Sequence, residues 1–317
     1  MSKIIIGIHG LGNKPPKAIL FNWWERSILE GLKKYNYPIT NFEFELVYWA
    51  DILHPNPLNP DEVNKNSPFY LKNRYLPEQT LNSGDSYGLR KKAKEYFDKF
   101  YGKIVVNEVL SFKYPSLTDL FMHINMRDLE KYYSLNYINH NGIRRIVKQI
   151  IIERLTDTLK KHKRKKILLI SHSMGSIITH DALIDYLPDL EIDTLVSIGS
   201  PLGQKYVLHK MLEEQKNNSG NKLKVPENIR RNWYNLFDLD DQVALNHLLA
   251  EIYLCNSKGV KIIDKLVQNN FTNDRTRNPH ASYGYLRTPE FAEIVHSFLF
   301  HKKFSLFKWF KPVPSNK

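Results

Sequence analysis

The sequence ILLISHSMG, from Ile167 to Gly175, continues to Leu183 as SIITHDAL, and the architecture of the chain can be inferred from this segment. Four branched apolar residues, 167–170, predict a buried strand, the small and polar residues after them predict a sharp turn, and the apolar spacing of 177–183 predicts a helix. Ser173 therefore lies at a strand-to-helix turn. A serine there projects its hydroxyl clear of the sheet, and the helix N-terminus offers free amides to a developing negative charge.

The turn differs from the pattern G-x-S-x-G at one position, where Ser171 replaces the first glycine. Both neighbours of such a turn must be small because the backbone packs closely there, and serine is small. A serine-containing loop also produces S-x-S-x-G by chance, since short motifs have a real false-positive rate. The strand before the turn and the helix after it weaken that alternative, so Ser173 is the candidate nucleophile.

Length and composition predict a large globular protein. At 317 residues, with 42% hydrophobic and 12% aromatic residues, the chain can bury a sizeable core, and we expect one domain with an insertion. No uniform apolar run is long enough to span a bilayer. Cys255 is the only cysteine, which excludes an internal disulfide, and the apolar run 4–8 is too short for a signal peptide. The expected location is therefore the cytoplasm.

The net charge of +13 raises the question of an anionic partner. The lysines are scattered, which favours a solvated surface, and no recognisable nucleic-acid module accompanies them, so no nucleic-acid partner is predicted. The tail 301–317 differs because it interleaves lysines with aromatic residues. Such a tail fits peripheral contact with an anionic membrane, at its inner face, and fits equally a terminal helix packed on the core.

Alternating strand and helix patterns predict the architecture. Continuous branched apolar runs indicate strands, and apolar residues at helical spacing indicate helices. The expected strands cover 3–8, 42–49, 167–170, 194–198, 231–237 and 260–267, and the expected helices cover 20–32, 143–159, 177–183 and 290–300. The fold class is therefore α/β, with a mostly parallel sheet and helices on both faces. A polar stretch, 213–227, is expected as an exposed loop.

Between residues 51 and 139 the pattern changes. A proline-rich stretch, 54–60, precedes amphipathic segments around 88–100, 103–112 and 116–134, which predict a helical cap inserted into a core of 1–50 and 140–300. An insertion between two strands leaves the sheet near the strands' carboxyl ends, where α/β proteins place their ligands, so we expect it to cover the site. The alternative is a helical layer far from the site.

A serine nucleophile needs a histidine to accept its proton and a carboxylate to hold that histidine. His280 is the candidate base because it lies in a polar loop after the last strand and before the closing helix. His172 sits beside the serine but is expected to point away around the turn. Structural roles are expected for His180, His247 and His296 on their helices.

The candidate acids follow the strand 231–237 directly. They are Asp238, Asp240 and Asp241. Aspartates after a strand often cap the turn or face solvent instead, so the residues alone leave all three open. An order of serine, aspartate and histidine along the chain is the one found in α/β-hydrolases.

Four separated motifs make the chain resemble the α/β-hydrolase superfamily, and specifically its lipase-like and esterase-like serine hydrolases. They are His9-Gly10-Leu11-Gly12 after the first strand, the turn at Ser173, the segment Asn235–Val243 with its Asp-x-Val, and the His280 loop. The resemblance implies an α/β-hydrolase fold lacking the first strands, because the chain begins at the oxyanion strand. It also implies that Asp241, the aspartate of Asp-x-Val, is the triad acid, with Asp238 and Asp240 as competitors.

The same resemblance implies an oxyanion hole. The family's His-Gly motif corresponds to His9 and Gly10 at the binding site, and the oxyanion amides belong to Leu11 and Met174. Two fixed amides aimed at the tetrahedral oxygen stabilise the transition state by several kcal/mol. A flexible turn after a strand is the alternative for these glycines, and the stretch lacks the G-x-G-x-x-G spacing of a dinucleotide site.

The expected activity is hydrolysis of a carboxylic ester, on a small molecule or a lipid, through an acyl-enzyme. Two alternatives stay open: acyl transfer to an acceptor other than water, and a membrane-associated or protein-binding module that retains the fold. No cofactor is expected. No metal is expected either, because His54 near Asp51 is the only suggestive pairing and the prolines after His54 fit a loop. The oligomeric state is not predicted.

Overall fold

The structure is a computed structural model of the chain. It describes residues 1–38, 41–77, 129–138, 144–187, 190–215, 223–244, 248–273 and 276–300.

The strands of the described residues are numbered in chain order. They are β1 Lys3–Ile8, β2 Phe44–Val47, β3 Asn136–Ile138, β4 Arg144–Ile146, β5 Lys166–His172, β6 Ile192–Ile198, β7 Leu223–Lys224, β8 Ile229–Phe237, β9 Tyr253–Leu254, β10 Ile262–Leu266, β11 Thr272–Asn273 and β12 Thr276–Arg277. Six of them form a central sheet in the order β10-β8-β6-β5-β1-β2, and every neighbouring pair in it is parallel. The remaining strands form short two-stranded pairs.

The helices of the described residues are numbered in the same way. They are α1 Lys17–Lys34, α2 Ala50–Leu53, α3 Val147–Lys161, α4 Met174–Asp185, α5 Lys205–Gln215, α6 Leu249–Ile252, α7 Ser282–Tyr285 and α8 Pro289–Phe300, with a 3-10 turn at Gln242–Ala244 and a further helical segment at 129–134.

The sheet is buried between two helical layers. Ile4, Ile6 and Ile8 of β1 belong to the apolar cluster that α3 and α4 cover, whereas Ile5 belongs to the cluster that α1 and α8 cover. Side chains along a strand point alternately to the two faces, so a sheet covered on both faces needs apolar residues at every position. This explains the continuous apolar runs, and it confirms the predicted α/β class with a mostly parallel sheet flanked by helices.

The connection order reverses beside β1. The chain passes from β1 to β2 at one edge, returns to β5 on the other side of β1, and continues through β6 and β8 to β10 at the opposite edge. Such a reversal sends the loops after β1 and β5 in opposite directions and opens a crevice at the carboxyl ends, where open α/β sheets bind ligands. The loop 9–16 and the turn at Ser173 flank this crevice.

The predicted elements lie where their patterns placed them, with ends that differ by up to four residues. The helix expected from residue 143 begins at Val147 because Arg144–Ile146 pairs with Asn136–Ile138 as a hairpin. The expected exposed loop at 213–227 is wrong where α5 continues to Gln215 and where Leu223–Lys224 forms a strand. Residues 225–227 have no helix or strand, and 216–222 lie outside the described residues. Sequence reasoning also missed α5 itself, which buries Val207 and Met211.

The described part of the expected cap consists mainly of turns. Residues 54–77 form turns and one bridge between Asn59 and Tyr70. Within them, the Leu58 amide donates to the Lys14 carbonyl at 2.9 Å, and Asn278 Nδ2 donates to Asn73 Oδ1 at 3.2 Å. This segment therefore runs from the loop after β1 to the loop that carries His280.

Two further predictions lie outside the described residues: the amphipathic segments at 88–100 and 103–112 with most of 116–134, and the basic aromatic tail 301–317. Among the residues that the structure describes, no helix combines the length and apolar character needed to cross a membrane.

Candidate active site

Ser173 lies at the junction of β5 and α4 in a strained backbone conformation. Its φ of 54° and ψ of −128° are unusual for a residue with a side chain, and Asn36 is the only other such residue with positive φ in the described chain. Backbone strain of this kind costs about 1–3 kcal/mol and persists where the surroundings enforce it. The Ser173 amide donates to the Ile198 carbonyl at 3.1 Å, and its carbonyl accepts from the Ser176 amide at 2.9 Å.

The loop after β1 packs directly against this turn. A Cβ on Gly10 would lie 2.6 Å from the Ser173 Cβ, so only glycine permits the approach. Ser171, by contrast, sits in regular strand register between Ile8 of β1 and Ser197 of β6. A side chain is accommodated at that position, which accounts for the departure from the glycine pattern.

Ser173, His280 and Asp241 form one hydrogen-bonded chain. His280 Nε2 is 3.0 Å from Ser173 Oγ, and His280 Nδ1 is 3.0 Å from both carboxylate oxygens of Asp241. Ser173 follows β5, Asp241 lies four residues after the end of β8, and His280 lies in the loop before α7. The three residues predicted from sequence are therefore brought together at the carboxyl edge of the sheet.

Asp241 is fully buried and held ionised by its neighbours. Burial alone would raise the pKa of its carboxyl group, but the adjacent His280 and hydrogen bonds from Tyr285 and the Val243 amide lower that pKa below its ordinary value. The Tyr285 hydroxyl donates at 2.7 Å and the Val243 amide at 3.0 Å. An ionised, oriented carboxylate fixes the His280 tautomer that carries its proton on Nδ1 and leaves Nε2 free to accept from serine.

Gly199, in the turn after β6, leaves room for the Asp241 carboxylate. Gly199 has a φ of 54°, and a Cβ there would lie 2.8 Å from Asp241 Oδ2 and 3.1 Å from His280 Nδ1. Glycine is required at this position by both the backbone conformation and the close approach.

The two competing aspartates occupy other positions. Asp238 is buried, accepts from Arg277 Nη2 at 2.6 Å and from the Asn269 amide at 2.6 Å, and has a pKa raised by burial. Asp240 has a side chain that is 68% exposed and forms an ion pair with Arg277. Among the three, Asp241 is the aspartate whose carboxylate reaches His280.

His9 shapes the expected oxyanion loop from inside the protein. Its Nε2 accepts from the Trp49 amide at 3.0 Å, so the proton is on Nδ1, which donates to the Gly10 carbonyl at 2.8 Å. Burial, together with nearby Lys14, lowers the pKa of His9 well below its ordinary value, so the ring is neutral. The ring also stacks on Trp49 with centroids 5.0 Å apart.

The two expected oxyanion amides lie on the segments that meet here. Met174 is the first residue of α4, where helix amides have no intrahelical acceptor. Leu11 follows Gly10, which touches the Ser173 turn, and packs against the apolar cluster under α3 and α4.

The other histidines considered as candidates lie in several different environments. His180 is buried against Tyr253 with ring centroids 5.7 Å apart, His296 stacks on Tyr37, and His247 lies outside the described residues. The expectation that His172 points away is wrong: its Nε2 donates to the His280 carbonyl at 2.9 Å, and the two rings are 4.8 Å apart. The His172 side chain lies on the face of β5 that α1 and α8 cover, where its ring is 6.5 Å from that of Trp24. The loop that carries His280 lies against the same face.

In the sequence, His54 and Asp51 are the only residues whose pairing suggests a metal site. In the structure, the Asp51 carboxylate forms an ion pair with Arg154. Within the described ranges, no group of three or more histidine, cysteine or acidic side chains is arranged to hold a metal ion.

Sequence reasoning missed three residues that organise the site: Gly199, Asn269 and Tyr285. Gly199 had a usable signal, because a glycine directly after a strand at the ligand-binding edge often marks a close approach. Asn269 and Tyr285 had none, because a buried polar side chain reveals its partners only after folding.

No protein-family model matches the chain, and a comparison with curated proteins found no match.

Proposed function

We propose that this chain is a serine hydrolase of the α/β-hydrolase superfamily that cleaves carboxylic esters through an acyl-enzyme. The observation that carries the proposal is the continuous chain from Ser173 Oγ through both nitrogens of His280 to Asp241, with 3.0 Å at each step. Such a chain converts a weakly nucleophilic hydroxyl into an activated one.

The topology supports the same proposal. The nucleophile follows the strand next to the switch point, and the expected oxyanion loop follows the strand on the other side of that point. Acid and base come from the ends of β8 and the loop beyond β10, in the chain order serine, aspartate, histidine that α/β-hydrolases use. In this interpretation β1 is the strand that carries the oxyanion loop.

The proposed cycle begins with attack of Ser173 Oγ on the ester carbonyl while His280 Nε2 takes the hydroxyl proton. The amides of Leu11 and Met174 stabilise the oxyanion, and Asp241 stabilises the imidazolium that forms. His280 then gives the proton to the leaving alcohol, which leaves an acyl group on Ser173. Water, deprotonated by the same histidine, attacks the acyl-enzyme and releases the carboxylic acid.

Labelling with a fluorophosphonate probe tests the nucleophile, and the mass of the peptide that contains Ser173 locates the adduct. We expect the wild-type chain to label and Ser173→Ala to lose both labelling and hydrolysis of p-nitrophenyl esters. Ser27→Ala is the matched control, because Ser27 is buried in α1 and its hydroxyl bonds only to the Trp23 carbonyl among the contacts described.

A wild-type chain that does not react, or a Ser173→Ala variant that labels as strongly, contradicts the proposal. A profile over p-nitrophenyl esters of increasing acyl length then defines the acyl group accepted. The same assay with an added alcohol separates hydrolysis from acyl transfer, because transfer yields a new ester in place of the free acid.

A further inference from the structure

The backbone on either side of His280 is clamped by one buried side chain. Asn269, fully buried in the loop after β10, donates from Nδ2 to the carbonyl oxygens of Pro279 and Ala281, both at 2.8 Å. Its Oδ1 accepts from the Phe271 amide at 3.1 Å. The amide group of Asn269 is therefore fully used, and two of its three bonds hold the residues that flank the candidate base.

The carbonyl between these two, that of His280, is held by a second side chain. His172 Nε2 donates to the His280 carbonyl at 2.9 Å. A Cβ on Gly10 would lie 3.1 Å from His172 Nδ1, so the same ring also contacts the expected oxyanion loop. His172, which directly precedes Ser173 in the chain, thus lies against both the loop that carries His280 and the expected oxyanion loop.

We propose that His172 and Asn269 are positioning residues that together form a cradle for the base, by holding the successive carbonyl oxygens of Pro279, His280 and Ala281. The inference rests on the proposed function, and it deepens it by naming residues on which the reaction depends but which do not touch substrate.

Fixing three successive carbonyls matters because it fixes the peptide planes on both sides of the His280 Cα. The direction of the Cα–Cβ bond follows from those planes, so the cradle sets where Nε2 lies relative to Ser173 Oγ. The loop has little other regular structure, since 278–281 lies between a two-residue strand and a four-residue helix. A misplacement of about 1 Å at a reacting group can cost on the order of 100-fold in rate.

The cradle is itself anchored to the acid loop. The Asn269 amide donates to Asp238 Oδ2 at 2.6 Å, and the Asn269 carbonyl accepts from Arg277 Nε at 2.9 Å. Arg277 also pairs with Asp238 at 2.6 Å. The aspartate that competed for the role of acid therefore supports the residue that supports the base.

Three variants test the cradle. His172→Phe keeps a ring of similar shape and removes the donor, His172→Gln restores a donor near the Nε2 position, and Asn269→Leu removes both clamps. The control is Asn256→Leu, because Asn256 is also buried and donates to two backbone carbonyls, those of Pro226 and Ile229 at 3.1 and 3.0 Å. The readouts are kcat and KM for p-nitrophenyl butyrate, the fluorophosphonate labelling rate, and the thermal midpoint.

We expect His172→Phe and Asn269→Leu to lower kcat and the labelling rate by about 10- to 100-fold with KM nearly unchanged. His172→Gln should recover most of the rate. Asn256→Leu should lower the thermal midpoint without lowering kcat, because its clamp lies away from the site. If Asn269→Leu does not fold, the difference in rate between His172→Phe and His172→Gln still tests the proposal.

The cradle is overturned if the wild-type chain reacts and the His172 and Asn269 variants react at the same rate. It is also overturned if Asn256→Leu loses as much rate for a given loss of stability as the His172 and Asn269 variants do. A third contrary result is that His172→Gln does not recover the rate that His172→Phe loses. A wild-type chain that neither labels nor hydrolyses overturns the proposed function instead, and this inference falls with it.

Discussion

The two halves of the candidate site are built in different ways. The nucleophile half is nearly continuous in sequence, because strand, turn and helix occupy 166–185 without interruption, and the loop at Gly10 and the Ile198 carbonyl pack against the turn from other segments. The acid and base half is assembled from distant segments, with His280 separated by 107 residues from Ser173 and by 39 from Asp241. Local geometry dominates the first half, and long-range hydrogen bonds dominate the second.

The two halves should therefore be sensitive to different kinds of substitution. The nucleophile half depends on close backbone approach, so added volume should damage it. The other half depends on buried polar groups with satisfied partners, so removing a charge or a hydrogen bond should damage it. Three substitutions or conditions test this contrast.

Asp241→Asn should produce the largest effect. An amide at this position presents a donor to His280 Nδ1 and favours the wrong imidazole tautomer, so kcat should fall by about 10⁴-fold with the fold retained. Asp240→Asn is the matched control, because the Asp240 side chain is 68% exposed and pairs with Arg277. Steady-state hydrolysis of a p-nitrophenyl ester measures both variants. An equal loss of kcat in the two variants would contradict the assignment of Asp241 as the triad acid.

Gly10→Ala should damage the nucleophile half through volume. Its Cβ would lie 2.6 Å from the Ser173 Cβ, and overpacking of this kind costs about 1–3 kcal/mol of unfolding free energy. The labelling rate of Ser173 should fall with it. Gly259→Ala is the control, since a Cβ there meets no atom within 4 Å and adds only the cost of its φ of 75°. Urea unfolding and labelling rates compare the two, and wild-type behaviour in Gly10→Ala would contradict the close packing.

Near pH 6 the pH dependence of stability should show the smallest effect of the three, and it concerns the point where the two halves meet. Burial, followed by the neighbouring His280, lowers the pKa of His172 from 6.5 to about 3. Below pH 6.5 the unfolded chain binds a proton at this residue that the folded chain does not, so stability falls as pH falls towards 3. His172→Phe should make the slope shallower between pH 6.5 and 4, by up to about 1 kcal/mol per pH unit.

Urea unfolding at several pH values measures that slope. Above pH 7 the imidazole is neutral in both states, so wild-type and variant curves should run parallel. Identical slopes below pH 6.5 would mean that His172 is not held neutral against His280.

The fold class and the strand-to-helix turn at Ser173 follow from local sequence patterns. Continuous branched apolar runs are required by a parallel sheet covered on both faces, and the small residues around Ser173 are required by a tight strand-to-helix turn. Both requirements act over a few neighbouring residues, so they are visible in the chain. The predicted strand and helix ends were less accurate because hairpins and bends, such as the one before Val147, depend on partners.

The candidate site is completed by contacts between separated segments, which exist only in the folded chain. Asp238, Asp240 and Asp241 lie within four positions and have the same local preferences, so the residues alone leave all three open. The resemblance implies Asp241, and in the folded chain Asp241 is the one of the three whose carboxylate reaches His280. The contact of His172 with the His280 carbonyl, the Tyr285 hydroxyl on Asp241 and the Asn269 clamp arise in the same way. Each is a hydrogen bond between residues that are at least 10 positions apart in the chain. The energy of such a bond depends on burial and orientation, which no local pattern of residues contains.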